Sequence, residues 1–539
     1  MGGTQTSACE QAPRLRADLL RREAYGALQP AAVQLVETHV SQVFLLERDV
    51  FKIKRPVDLG FLDFTTLERR EAACRAEVQL NSRLAPDVYF GVVPVRRDRN
   101  GRASLSAAGP IIDWAVHMRR LPDEHRADVL LARGKLEPRA VDVIAVRLAR
   151  FHAATATSDV AAAFGSPEAI ARNVEENFAQ TRSVIDAYVP EGAAEIVRWQ
   201  TAFLRGHEAL FAQRAATGRV RDGHGDLRLE HVYFEGRDEP AIIDCIEFSD
   251  RFRFADVCAD VAFLSMDLAA HGRVDLAERF LARYARESND FDLYSLVDFY
   301  ESYRAFVRAK VATFLAADAD VDEATRSRAA VEARRHFLLA LAADRRSLLL
   351  PAVVAVGGII ASGKSTIAER IAGEMGAPVV DADRTRKSMV GVDATQPMHE
   401  AAWTGAYDPG FTDRVYAEVM RRAEVVLASG RPVVVDASFR SPAMRGLARQ
   451  LAMAHGVPFR FVECRADPDV CRARLADRAR TAGVSDGRLA VFDAFRARFE
   501  PVTELPPTEH VVLDTTRPVA ASVDVLRANV ETWPGGFVA

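Results

Sequence analysis

The chain has 539 residues, 49% of them hydrophobic and 27% charged, with a net charge of only -4. That length exceeds what one core usually organises, so two or three domains are expected, and the near-neutral balance offers no basic stripe for a nucleic acid. Six scattered cysteines, with no C-x-x-C pair and no metal-ligand spacing, read as reduced thiols and argue against a structural zinc. Neither a signal peptide nor a membrane-spanning run is legible, so a cytoplasmic protein with no membrane partner is expected.

Of the 71 basic residues only six are lysine. Where arginine has replaced lysine almost everywhere, a surviving lysine marks a place that needs a compact ammonium and not a planar fork. Three of the six, Lys52, Lys54 and Lys364, fall inside the patterns below.

Taken in chain order, VQLVE, QVFLLE and DVFKIK predict short strands, LERREAACRAEVQLNSRL a helix, and VYFGVVPV and IIDWAVHM two more strands. The pattern is then mostly helical to about residue 345, with the acidic-alanine stretch 316–324 as a loop between helices. A sheet lobe (about 30–118) followed by a helical lobe (about 119–345) predicts an α+β, bilobal domain with a cleft. In DVFKIK the period of two puts Lys52 and Lys54 on one face, and the following helix carries Glu77, so a Lys–Glu pair to clamp nucleotide phosphates is available. Lys52 is preferred, because Val50 then faces the base. A solvated edge strand is the alternative, which the scarcity of lysine opposes.

Further along, GHGDLRLEHVYF and the apolar run AIIDC place Asp226 eighteen residues before Asp244. Phosphoryl transfer needs one carboxylate to orient and deprotonate the acceptor and a second to carry magnesium, and these two fill those places. The segment resembles the aminoglycoside phosphotransferase and choline kinase branch of the protein-kinase-like fold, whose catalytic loop reads H-G-D-x-x-x-x-N and is followed by I-D. The resemblance implies that residues 1–345 form a bilobal kinase-like domain, with WAVHMRRL as the hinge beside the adenine. It also implies that no glycine-rich loop need precede DVFKIK. His231 stands where the family places its metal-binding Asn. Imidazole suits magnesium less well than an oxygen ligand, so either metal binding and turnover differ here or His231 is a satisfied histidine in a tight loop. Asp256 and Asp260 are expected to cap and brace the catalytic loop.

At Pro351 the texture changes. AVVAV, PVVDA, PVVVDAS, FRFVEC and HVVLD alternate with amphipathic helices, which predicts an α/β, doubly wound parallel sheet over residues 351–539. AVVAVGGIIASGKST supplies strand, G-x-x-x-x-G-K-S and helix in the order a phosphate-binding loop requires. Gly358 and Gly363 let the backbone wrap the phosphates, Lys364 neutralises them, Ser365 ligates magnesium, and Thr366 completes the nucleotide contacts. Asp383 and Arg386, just beyond the second strand, are placed to receive the acceptor's proton and hold the acceptor, the alternative for Asp383 being a helix N-cap. Asp436 ends the third strand, either as a magnesium carboxylate or as a plain strand-terminal Asp. Arg474 and Arg478, four apart on one helix, match a lid closing over the transferred phosphate, with a solvated helix face as the competitor.

This half resembles P-loop kinases such as polynucleotide kinase, gluconate kinase and zeta-type toxins, and the whole chain resembles a bacterial group in which the two domains occur fused. The resemblance implies an ATP- and magnesium-using phosphotransferase whose acceptor is a small hydroxyl compound. Two rivals stand beside it: a regulatory protein whose first domain binds nucleotide and gates the second, and a polynucleotide 5′-kinase, which the missing basic stripe disfavours. Aminoglycosides are polycations that need an acidic cleft, and the helical lobe shows no exceptional acidic cluster.

Overall fold

The computed structural model describes residues 8–60, 62–190, 192–236, 239–319, 321–341, 350–398, 400–478 and 484–529. Packing divides it into two compact units, residues 1–179 with 201–267 and residues 180–200 with 268–539.

The first unit carries an antiparallel sheet of β1 (Gln34–Glu37), β2 (Ser41–Leu45), β3 (Asp49–Lys54), β4 (Tyr89–Arg97), β5 (Ala103–Ser104) and β6 (Ile111–Arg119), in the order β1-β2-β3-β6-β4-β5. Alternation along β3 sorts its side chains. Phe51 and Ile53 enter one core with Phe44, Val95 and Ala115, while Val50 enters another with Cys74, Val116 and Met118. Lys52 and Lys54 have the parity of Val50, so they meet the helix Leu67–Asn81, which Thr66 caps by accepting from the Arg69 N–H. That helix delivers a buried Glu77 to the two lysines. Four short strands follow: β7 (Val220–Asp222), β8 (Val232–Tyr233), β9 (Ala241–Ile242) and β10 (Phe254–Asp256). β7 pairs with β10 and β8 with β9, which fixes both ends of the loop 223–231.

The second unit contains a parallel sheet of β11 (Val353–Gly357), β12 (Val379–Asp381), β13 (Val433–Asp436), β14 (Phe459–Arg465) and β15 (His510–Asp514), in the order β12-β13-β11-β14-β15. Helices cover both faces of such a sheet, so its central strand reads as an unbroken apolar run, and every residue of β11 is buried. Val354, Val356, Val434 and Val462 pack against Ile367 and Ile371 of the helix Lys364–Met375.

The sequence pattern breaks between residues 345 and 351, and the end of that helical pattern, residues 342–349, lies outside the described residues. Packing divides the chain elsewhere, because the helices Val274–Ser288 and Val297–Ala317 pack with the parallel-sheet half, with arginines prominent in the contact. Arg431 of that half, only 4% exposed, donates to Glu278 and Asp298 at 2.8 Å each. Arg422 donates to Asn289 at 2.7 Å, and Arg286 to Glu369 at 2.8 Å. Among the described residues no helix is long and apolar enough to cross a membrane. Cys74, Cys245, Cys258, Cys464 and Cys471 are free and buried, and the side chain of Cys9 lies outside the described ones.

Removing one member of a buried ion-pair group strands the others, which costs about 3 kcal/mol. Arg431→Ala is therefore expected to lower the thermal midpoint of this unit by about 6 °C or more, whereas Arg517→Ala, at an exposed pair with Asp514, leaves it unchanged. Differential scanning calorimetry of the full chain checks both.

Candidate functional sites

In the first unit the charges on β3 are bound into one network. Lys52 Nζ lies 2.9 Å from Glu77 and 2.7 Å from Asp244, while Lys54 Nζ lies 2.5 Å from Glu77 and also pairs with Glu247. Lys54 is closed off between its two carboxylates, and Lys52 keeps more of its ammonium accessible. Burial works against ionisation of Asp244, yet Lys52 and then His231 outweigh it and hold the carboxyl far below the usual range. Glu77 is likewise held low, its two lysines overcoming the cost of burial. Asp244 itself sits at a φ of +66°, a left-handed conformation that re-aims its side chain at the end of the strand-like segment.

Asp226 lies in the loop between β7 and β8. His224 and Gly225 donate their backbone N–H groups to Asp260 at 2.6 and 2.8 Å, and a Cβ on Gly223 would meet that carboxylate at 2.3 Å. Asp260 thus braces the loop, while Asp256 takes Arg214 at 2.7 Å and caps Cys258. Burial pushes His224 down to about 4, so its ring stays neutral and bonds the Ile243 carbonyl. His231 Nδ1 donates to the Asp226 carbonyl at 2.8 Å. That bond turns the other ring nitrogen, Nε2, toward Asp244 Oδ2 at 3.6 Å. Asp226, Asp244 and His231 are therefore brought together, with Lys52 beside them.

Sequence reasoning missed Arg228. Its guanidinium holds both oxygens of Asp226, at 3.2 and 3.0 Å, and also pairs with Glu230. In a chain so rich in arginine nothing marked it out, although its place two residues after Asp226 was a usable signal.

In the second unit the loop after β11 has the backbone a phosphate cradle needs. Gly358 has a φ of +143°, and a Cβ there would meet the Cys464 carbonyl at 2.4 Å; Gly363 has a φ of +88° and precedes the helix Lys364–Met375. Lys364 Nζ donates to the Ile359 carbonyl at 2.8 Å, and Ser365 hydrogen-bonds Asp436. Thr366 follows in the same first turn of that helix. One open cavity is lined by Lys364, Ser365, Asp383, Arg386, Asp436 and Arg478. The helix N-cap is Asp381, which accepts from the Arg384 N–H at 2.9 Å, so Asp383 is left to face the cavity. Arg474 is not part of this lining. It donates to the carbonyls of Ala361 at 3.2 Å and Thr515 at 2.6 Å and so buttresses the phosphate loop, which parts it from Arg478 and from the lid role expected of both.

Burial, then the neighbouring Asp381, raise Asp383 to about 6 and Asp436 to about 7. Among the described residues no group of three or more His, Cys, Asp or Glu is arranged to hold a metal ion. The Ser365 hydroxyl with Asp436 is nevertheless the hard-oxygen pair that suits magnesium beside phosphates, and a cation there relieves the crowding of carboxylates. Lysine scarcity also pointed to a residue left unread: Lys387, whose side chain is fully buried, lies 3.2 Å from Asp486 below this cavity.

A carboxyl raised in the folded chain binds its proton more tightly there than in the unfolded chain. Stability is therefore expected to fall as pH rises from about 4 through about 7, and to level off above that. Asp436→Asn should flatten the fall and raise the thermal midpoint at pH 8 without metal by about 3 °C or more, while abolishing the gain that magnesium with an ATP analogue confers on the parent. Thermal unfolding at pH 5 and pH 8, with and without these ligands, checks the sign and the window.

Family models match both halves. The phosphotransferase enzyme family matches residues 61–300, and an AAA domain matches residues 353–502. Uncharacterized proteins of Mycobacterium tuberculosis and Mycobacterium bovis are each 36% identical over 485 residues, covering 88% of this chain and 92% of theirs. Among solved structures, a choline/ethanolamine kinase family protein from Mesorhizobium loti covers 63% of this chain and 99% of its own, at 14% identity and a TM-score of 0.37. A gluconokinase from Sinorhizobium meliloti covers 34% and 95%, at 22% identity and a TM-score of 0.24.

Proposed function

Because this chain belongs to the family that joins a phosphotransferase-enzyme domain to a P-loop AAA domain, shared with its mycobacterial relatives, we propose that it moves the γ-phosphoryl group of ATP to a small hydroxyl acceptor. The observation that carries this reading is the single cavity that joins Lys364 and Ser365 of the phosphate loop to Asp383, a carboxyl raised to about 6. A group with that affinity is ionised at neutral pH and still basic enough to take a hydroxyl proton as the new bond forms.

In the reaction, the acceptor oxygen attacks the γ-phosphorus, and the bond from that phosphorus to the β–γ bridging oxygen breaks. The electron pair leaves on ADP, and the acceptor's proton passes to Asp383 and then to water. Lys364 and the loop N–H groups hold the phosphates, and Arg478 offers a further positive charge at the cavity wall. Magnesium, when bound, neutralises phosphate charge; Ser365 and Asp436 would hold it here, and Asp244 with His231 in the other site. A motor ATPase has no need of an acceptor cavity with its own carboxyl base, which favours the kinase reading over energy transduction.

The first unit supports a second nucleotide site, with Lys52 for the phosphates and Asp226 for an acceptor. One observation favours a regulatory role for it: Asp226 is held by Arg228, and a histidine stands beside Asp244 where magnesium would be held, so nucleotide binding without transfer is the competing outcome. Lys364→Ala in the full chain is expected to cut labelled-phosphate transfer from ATP at least about 100-fold, with the fold retained by circular dichroism. Unchanged transfer and unchanged ATP affinity would sink the reading. Asp226→Asn assayed in parallel assigns any residual transfer: loss of one product but not another marks two active kinases, and no effect on any product marks a regulatory first domain.

A further inference from the structure

The cavity that holds Asp383 has a second end to its chemistry. We propose that Arg386 and Arg440 form an oxyanion subsite within it, so that the acceptor is a hydroxyl compound carrying a carboxylate or phosphate group. The inference rests on the kinase reading for the word acceptor, but the subsite itself rests on charge partition.

Acidic and basic side chains line the cavity in equal number among the described residues, so net charge decides nothing. Their pairing does. Asp486 is taken by Lys387 at 3.2 Å, by the Tyr407 hydroxyl at 2.8 Å and by the Met398 N–H at 2.9 Å. Glu400 accepts from the Ala406 N–H. Asp381 caps its helix, and Asp436 bonds Ser365 beside the phosphate loop. Among the described residues no carboxylate lies within ion-pair distance of Arg386 or Arg440, and only the longer-range fields of Asp383 and Asp413 reach them.

Arg386 is 6% exposed. Its Nη1 donates to the Ala406 carbonyl and, at 3.3 Å, to Thr412, while Nε is buried without a partner and Nη2 makes no hydrogen bond among the described residues. Arg440 is half-buried and its side chain makes one described contact, with the Trp403 ring at 4.5 Å. Burial disfavours its charge and Arg498 and Arg386 nearby add to that cost; Tyr416 and Asp413 act the other way, and the balance still lowers its hold on the proton. Elsewhere in this chain a buried guanidinium meets a carboxylate: Arg70 with Asp113, Arg214 with Asp256, Arg445 with Glu504. Two neighbouring guanidinium groups without an ion-pair partner in a cavity are what recognition of an oxyanion requires, since the anion supplies the direct charge contact and the missing acceptors.

The mount is rigid. Trp403 stacks on Phe495 at 4.4 Å, carries Arg440 at 4.5 Å and Arg498 at 3.9 Å, and holds a φ of +67°, a conformation an aromatic residue adopts only when its surroundings impose it. Arg386 is fixed over the Tyr407 ring at 4.6 Å. A polycationic sugar would meet these groups with like charge, so this cavity turns away the aminoglycoside class.

The test uses the full chain saturated with magnesium and a non-hydrolysable ATP analogue, so that both nucleotide sites are filled. Inorganic phosphate and D-gluconate are titrated in by calorimetry, with D-glucose as the uncharged control. The expected result is saturable binding of phosphate or gluconate, none of glucose, and a Kd at least tenfold weaker in Arg440→Gln, partly restored in Arg440→Lys. Phosphate alone binding assigns a phosphate ester, and gluconate alone assigns a carboxylic acid. No saturable binding of either anion, glucose binding as well as gluconate, or binding that Arg440→Gln leaves unchanged overturns the subsite. Anion binding lost in Arg440→Gln with no phosphate transfer to any acceptor would instead sink the kinase reading and leave the subsite standing. Transfer to neutral alcohols without anion binding does the reverse.

Discussion

The parallel register of β11, β12 and β13 makes three chain segments emerge side by side from one edge of the sheet. Val356 and Asp381 are both register partners of Asp436, so the phosphate loop and the carboxylates beyond β12 and β13 leave the sheet together. A phosphate-binding loop on the central strand thereby gains acidic neighbours that no local sequence signal could guarantee. Their crowding in a desolvated place raises Asp383 and Asp436 toward neutrality, and that places a proton acceptor and a metal carboxylate within one cavity.

The site of the first unit meets the same electrostatic demand in the opposite way. There, burial of Asp244 and Glu77 is more than repaid by two lysines on one strand face, so both carboxylates stay ionised. The period of two in β3 is the cause: a one-residue slip would send Lys52 and Lys54 into the core occupied by Phe51 and Ile53. The P-loop site keeps carboxyl groups that can take a proton, while the first site keeps a preformed cluster of full charges.

The helices Val274–Ser288, Val297–Ala317 and Glu323–Leu341 belong physically to the P-loop half. Arg286, from the helix Val274–Ser288, pairs with Glu369 and reaches to 3.9 Å from Asp381, behind the carboxylate group that faces the cavity. The electrostatics of the P-loop site therefore include a residue that lies in the region matched by the phosphotransferase family.

Local patterns were enough to determine the strands of both sheets apart from the two-residue β5, the phosphate loop and the pairing of Asp226 with Asp244, because period, glycine placement and motif spacing act over a few residues. The Lys52–Glu77 contact was legible for the same reason, since strand parity and one helix suffice. Tertiary structure alone decided the rest. It split Arg474 from Arg478, which share a helix face but meet different neighbours, and it made Asp381 rather than Asp383 the helix cap. It revealed Arg228, and among the described residues it left Arg386 and Arg440 without an ion-paired carboxylate, a property of pairing across segments distant in sequence. The docking of residues 274–317 was hidden because many of its contacts are ion pairs, and charged residues on a helix read as a solvated face until their partners are in place.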